Sequence, residues 1–187
     1  MKSWLQLLRA PNLFTVPGDP LAGFLVACGM ASGRVSYLDD RAVYAVFASL
    51  CLYSAGLIMN DIFDIAEDRR DRPHRPLASG AIPLRSAWIV GVILSGIGIL
   101  LMTIVADRAG LLLSALLLGC IGFYNGFNKR IAILGAINMG ACRGLSLLLG
   151  AVAFSGSLNF PPFLLLCAVI AAAYIAAVTN LARYETR

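Results

Sequence analysis

Polar residues in this chain arrive in short clusters, and between the clusters run apolar stretches of membrane-crossing length. A transmembrane helix needs about 20 predominantly apolar residues. Six segments qualify: 12–31, 42–60, 86–106, 109–127, 131–155 and 161–180. The breaks carry Gly, Pro and charge: "ASGRVSYLDD", "ADRAG", "NKR", "SGSLNFPP" and one long acidic-then-basic stretch after residue 60. No soluble linker, low-complexity run or short repeat interrupts the pattern. The elements predict an all-α, polytopic transmembrane helical bundle of about six spans, forming a single domain over 1–187 with no soluble domain.

Composition strengthens that picture. The chain is 59% hydrophobic and 13% charged, about half the charged share of an average soluble domain, and its mean hydropathy is +0.82. The opening "MKSWLQLLRAPNLF" leads straight into the first span, so a retained helix is expected there and not a cleaved signal. The net charge of +5 does not indicate a nucleic-acid partner, because the basic residues sit in short loops. With the N-terminus inside, Lys2, Arg9, Arg69, Arg70, Arg72, Arg75, Arg85, Lys129, Arg130, Arg183 and Arg187 all face the cytoplasm. Arg34, Arg41 and Arg108 face outward, and Arg143 lies within a span. Such asymmetry sets orientation in membranes. It predicts an integral protein of a bacterial inner membrane, with the N-terminus and the acidic stretch cytoplasmic. The five cysteines, scattered through the spans, read as small core hydrophobes.

The acidic stretch, "LIMNDIFDIAEDRRDRPHRPLASGAIP", is where chemistry concentrates. Asp61, Asp64, Glu67, Asp68 and Asp71 fall within eleven positions at the end of an apolar span. At 100° per residue, Asp61, Asp64 and Asp68 share an arc of about 60° on one helix face. Carboxylates gathered beside hydrocarbon repel one another and are costly without a shared cation. Hard oxygen ligands favour Mg²⁺, which takes one or two carboxylates and bridges to phosphate oxygens. The arginines that follow, Arg69, Arg70, Arg72 and Arg75, suit the outer oxygens of a diphosphate. A solvated topology loop explains the arginines but not three same-face acids that begin inside a span.

"NDIFDIAED" resembles the N-D-x-x-D-x-x-x-D motif of the UbiA superfamily of intramembrane prenyltransferases. "RPHRPLASGAI" is similar to that family's R-P-x-R-P-x-x-S-G-x-[IV] continuation. The resemblance implies an all-helical fold, a site opening to the cytoplasm and Mg²⁺-dependent transfer of a prenyl group from its diphosphate to an acceptor that the sequence does not identify. It assigns Asn60, Asp61, Asp64 and Asp68 to metal–diphosphate binding, with Asp61, Asp64 and Asp68 as metal ligands, and Arg72 and Arg75 to the substrate.

Other residues join the candidate site. "FYNGFNKR" resembles the family's tyrosine-and-lysine signature, with Tyr124 and Lys129 one residue further apart than the expected Y-x-x-x-K. Lys129 suits neutralisation of the diphosphate. Tyr124 reads either as a group facing the allylic carbon or a phosphate oxygen, or as an interfacial aromatic. Arg143 is buried in a span with Asn138 shortly before it, and such an arginine needs an anionic partner. A diphosphate, an aspartate or a structural ion pair all meet that need. Asp19, in "TVPGDPLAG", reads as a pocket acid or as a satisfied residue at a helix break made by Pro17, Gly18 and Pro20. Arg9 and Asn12 resemble the family's R-x-x-N start. "GAINMGACRGLSLLLG" and the closing "AYIAAVTNLARYE" resemble a subset of UbiA-like proteins of ebo-type biosynthetic clusters.

The chain also departs from the family, which typically has nine spans and a second aspartate-rich motif after the sixth. Here "TNLARYETR" offers only Glu185 as a remnant, so the domain is expected to be C-terminally incomplete relative to the family. Two other functions fit less of the sequence. A CDP-alcohol phosphotransferase would need a D-G-x-x-A-R signature that is missing. A non-catalytic protein that binds a polyprenyl diphosphate, or a partner, would keep the acids without turnover.

Overall fold

The computed structural model describes residues 2–32, 39–127 and 131–185. Eight helices follow in order: α1 (Lys2–Leu7), α2 (Ala10–Leu13), α3 (Gly18–Ser32), α4 (Asp40–Phe63), α5 (Ile65–Asp71), α6 (Leu84–Gly126), α7 (Ala132–Ser155) and α8 (Pro162–Glu185). No strand occurs among the described residues.

Among the described residues, five helical stretches are long and apolar enough to cross a membrane, and one of them, Leu84–Gly126, has 43 residues. A straight helix of that length would span about 64 Å, twice the hydrocarbon core. It does not run straight. Ala106 (φ −139°, ψ 24°) and Asp107 (φ 46°, ψ −129°) leave helical geometry at the predicted "ADRAG" break. The halves fold back on each other closely enough that a Cβ on Gly110 would run into the Met102 carbonyl. Counted as crossings, α6 supplies two, and the expected number of about six holds.

The first crossing differs in detail from the sequence expectation. The chain breaks over Phe14–Pro17, before Asp19, and Pro20 lies in the first turn of α3. A proline is tolerated there because its missing N–H would have had no partner in the helix. Asp19 therefore sits at the N-terminal end of α3, where the helix dipole favours a negative charge.

α7 is the hub, packing against α3, α4, α6 and α8. The main core gathers Phe24, Leu52, Met102, Leu113, Leu117, Leu149 and Val152. α3 and α7 meet almost backbone to backbone. A Cβ on Gly150 would strike the Pro20 carbonyl, and one on Gly23 would strike the Leu147 carbonyl. Small residues allow such approach in membranes, where packing and not the hydrophobic effect joins helices. At the end of the bundle away from the acidic stretch, Arg41 Nη1 donates to the Phe154 carbonyl at 3.1 Å in the last turn of α7. Arg41 also pairs with Asp39 at 2.6 Å. Hydrogen bonds from Arg41 hold the exposed Asp39 carboxyl below its ordinary range. Exposed apolar side chains such as Val92, Leu100 and Ile104 on α6 and Phe163, Val169 and Ile170 on α8 suit contact with lipid. No disulfide joins the five cysteines.

The Gly150 contact is directly testable. Gly150→Ala forces α3 and α7 apart and should destabilise the protein by about 1–3 kcal/mol, as overpacking does. Gly29→Ala, in open space on the same pair of helices, should leave the melting temperature unchanged or slightly raised. Thermal unfolding in detergent compares the two, and equal melting temperatures would contradict the close crossing.

A candidate diphosphate-binding site at the mouth of an intramembrane cavity

Asn60 and Asp61 close the last turn of α4, Asp64 stands at the junction, and Asp68 lies in α5. The junction keeps helical hydrogen bonding. Asp64 N–H donates to the Asn60 carbonyl at 3.0 Å, and Asp68 N–H donates to the Asp64 carbonyl at 2.8 Å. Helical hydrogen bonding therefore continues through the change of helix.

Asp61 and Asp68 are each only 4% exposed. An unpaired charge at that depth is very costly, and arginines supply the pairing. Arg75 Nη1 lies 2.8 Å from Asp68 Oδ2 and 3.6 Å from Asp61 Oδ1. Arg9 Nη2 donates to the same Asp61 oxygen at 3.1 Å. Asn60 Nδ2 reaches it too, at 3.4 Å.

The loop that carries Arg75 is held in place by its own sequence. Pro73 and Pro76 cannot continue α5. Gly80 turns the chain at φ 77°, a conformation glycine adopts without steric cost. Ser79 N–H donates to the Arg75 carbonyl at 2.8 Å, and Ile82 N–H to the Pro76 carbonyl at 3.1 Å. Leu77 and Ile82 peg the loop into a second apolar cluster with Leu7, Ile58, Ile62 and Ala87. Leu7, in the same cluster, fixes the chain just ahead of Arg9. Arg9 itself is left-handed, φ 46° and ψ 55°, an unfavourable region for a residue with a side chain.

Beside these charges a cavity of about 220 Å³ opens between the helices, and Arg9, Asn12, Asn60, Tyr124 and Arg143 line it. Its deeper wall carries Ser49, Tyr53, Asn125 and Ser146 among apolar side chains. Ser49 and Ser146 share a buried hydrogen bond of 2.7 Å between α4 and α7. Arg143 has found its anionic partner within the protein. Its Nε lies 2.8 Å from Asp19 Oδ2, close enough to pair but not aligned as a hydrogen bond. Arg143 Nη2 donates to the Thr15 carbonyl at 3.1 Å. Asn138 is buried beside the cavity and accepts from the Cys142 thiol at 3.5 Å.

The structure thus brings together Arg9, Asn12, Asn60, Tyr124 and Arg143 on one cavity, with Asp61, Asp68 and Arg75 at its mouth. Asp19 touches it only through Arg143. Arg72 caps α5 and is exposed. Among the described residues, no three His, Cys, Asp or Glu side chains gather closely enough to form a ready-made metal cage. Lys129 lies outside the described residues, as does the side chain of Glu185. Sequence reasoning missed Asn125, Tyr53 and the Ser49–Ser146 pair. An asparagine inside an apolar span was a visible signal for the first. The serine pair has no local signature, because its partners come from different helices.

Several proteins resemble the chain. It is 30% identical to the digeranylgeranylglyceryl phosphate synthase of Methanococcus aeolicus over 176 residues, 91% of this chain and 59% of the relative. It is 30% identical to that of Methanococcoides burtonii over 161 residues, 82% of this chain and 56% of the relative. The chain therefore spans little more than half the length of these two relatives. A solved structure concerned with digeranylgeranylglyceryl phosphate synthase in membranes superposes over 96% of this chain and 59% of that one, with a TM-score of 0.75 and 25% identity. A UbiA homologue from Aeropyrum pernix, solved without ligand, shares the fold over 88% of this chain and 61% of that one, with a TM-score of 0.67 and 24% identity. Residues 21–186 match the UbiA prenyltransferase family, and with the helical architecture and the N-D-x-x-D-x-x-x-D stretch in place, the chain belongs to that family.

Proposed function

We propose that this chain binds a prenyl diphosphate at the cavity mouth and transfers its prenyl group to an acceptor within the membrane. The observation that carries the reading is the pairing of two deeply buried carboxylates, Asp61 and Asp68, through Arg75 at 3.6 and 2.8 Å, beside a cavity lined by Arg9 and Arg143.

The donor set suits Mg²⁺ by its chemistry. It offers only carboxylate and amide oxygens, and two buried carboxylates match the number that Mg²⁺ usually takes beside phosphate oxygens. Asp61, Asp64 and Asp68 would hold the ion, which supplies neutralisation of the charge that builds on the leaving diphosphate. Arg9, Arg75, Asn12 and Asn60 hold and orient the diphosphate oxygens, and Lys129 and Arg72 add positive charge on the same side. The allylic C–O bond breaks with its electron pair remaining on the diphosphate. The acceptor's lone pair forms the new bond to that carbon, and the acceptor's proton leaves to the released diphosphate. Tyr124 faces the reacting carbon from the cavity wall, and the apolar surround keeps water away.

The Lys and Arg distribution supports a cytoplasmic opening. The chain is an integral membrane protein, and a bacterial inner membrane, expected from the sequence, is its proposed location. Because those relatives are named for digeranylgeranylglyceryl phosphate, a glyceryl phosphate bearing one geranylgeranyl ether is the first acceptor to try. Binding without transfer is the second reading, favoured by the chain's covering little more than half of its relatives.

Two predictions follow from this geometry. Asp68→Asn should lower Mg²⁺-dependent transfer of labelled geranylgeranyl groups by about 10²-fold or more, the scale of losing a group that stabilises developing charge. Expression should stay the same, and undiminished transfer would remove Asp68 from the site. Arg143→Gln leaves the Asp19 carboxylate without its partner and should destabilise the fold. In Asp19→Asn/Arg143→Gln thermal stability should largely return. Transfer that stays low in the double variant would mark Arg143 as a substrate-binding group, and transfer that recovers would mark the pair as structural.

A further inference from the structure

Asn125, near the end of α6, lines the cavity and is 3% exposed. Its Nδ2 donates to the Gly56 carbonyl of α4 at 3.3 Å. A main-chain carbonyl only accepts, so this bond fixes the amide orientation and leaves Oδ1 as the other end. That oxygen is buried and has no hydrogen-bond partner. A buried carbonyl left without a hydrogen bond is destabilising, and buried polar atoms of this kind call for an explanation.

Position supplies one. Gly56 precedes Asn60 by four residues, so its carbonyl is the one that faces the Asn60 N–H along α4, and Asn125 is anchored within a turn of the diphosphate-binding rim. An oxygen that only accepts repels a diphosphate and favours an O–H or N–H donor. The cavity's roughly 220 Å³ falls below the about 300–1,000 Å³ that buries a drug-sized ligand, so it suits a compact polar head and not a long isoprenoid tail. The arginines and the unpaired Asn125 oxygen thus divide the cavity between an anion and a hydrogen-bond donor.

We propose that Asn125 is a specificity-determining residue whose Oδ1 receives the hydrogen bond of the acceptor's nucleophilic hydroxyl, so that the cavity selects acceptors with a donor at the reacting end. The amide is not a base. It orients the hydroxyl and does not take its proton. The assignment rests on the prenyltransferase reading above and deepens it.

Equilibrium binding tests it without requiring turnover. Membranes carrying the chain are titrated with a tritiated glyceryl phosphate bearing one geranylgeranyl ether and one free hydroxyl. They are then titrated with the same compound in which hydrogen replaces that hydroxyl. The wild-type chain should bind the hydroxyl probe at least about tenfold more tightly, the lower part of the cost of an unmade buried hydrogen bond. In Asn125→Leu, of similar size but without the acceptor, the preference should fall to within about twofold. Equal affinities in the wild type, no saturable binding of the hydroxyl probe, or an undiminished preference in Asn125→Leu would each overturn the proposal. The wild-type comparison stands even if the variant fails to fold. Labelled geranylgeranyl diphosphate, titrated in parallel, separates the two levels. Its retention alongside a failed hydroxyl preference removes Asn125 alone, and its failure to bind removes the prenyltransferase reading with it.

Discussion

Two carboxylates buried at the end of a membrane helix must be countered by positive charge, and much of the local architecture answers that demand. Asp61 and Asp68 are nearly sealed from solvent, where an uncompensated charge would be intolerable. Arg75 is shared between them, and Arg9 approaches Asp61 from the other side. Each arginine is placed by apolar anchoring rather than by its own reach. Leu77 and Ile82 pin the loop that carries Arg75, and Leu7 pins the segment that carries Arg9. The unfavourable backbone at Arg9 fits this picture, since the neighbouring packing and the ion pair together hold it there. A cluster so constrained holds buried carboxylates and arginines together beside the cavity.

The bundle around the cluster serves the same end. α7, at the centre, brings Arg143 and Ser146 to the cavity, and its glycines let α3 come close enough for Asp19 and Thr15 to meet Arg143. The outer faces of α6 and α8 stay apolar, as lipid requires. The cavity thus lies between a charged mouth and a hydrocarbon surround. It has a few polar atoms at depth, the pattern by which pockets fix the orientation of what they bind.

Much of this was legible in the sequence, for identifiable reasons. Span lengths are dictated by membrane thickness, so six crossings could be counted even though one helical run holds two of them. The Asp61, Asp64 and Asp68 spacing follows helical geometry, and helical hydrogen bonding continues through the junction at Asp64. Long-range pairing was not legible. Nothing near Arg9 says that it will meet an aspartate 52 positions away. Arg143 announced only that it needed an anion, and three candidates fitted until the fold brought Asp19 to it. The break ahead of α3 came earlier than Pro20 suggested, because a proline in a first helical turn costs little. Asn125 was passed over beside the more familiar Tyr124, and its significance rests on an unpaired atom that only the packed structure reveals.

The central claim is that the buried carboxylates hold a prenyl diphosphate together with a divalent cation. Binding of a labelled, non-reactive geranylgeranyl thiodiphosphate to membranes carrying the chain tests it most directly, with Mg²⁺ or with EDTA, in the wild type and in Asp61→Asn. The expected result is saturable binding that needs Mg²⁺ and is lost in the variant. Binding that persists unchanged in EDTA, or in Asp61→Asn, would contradict it.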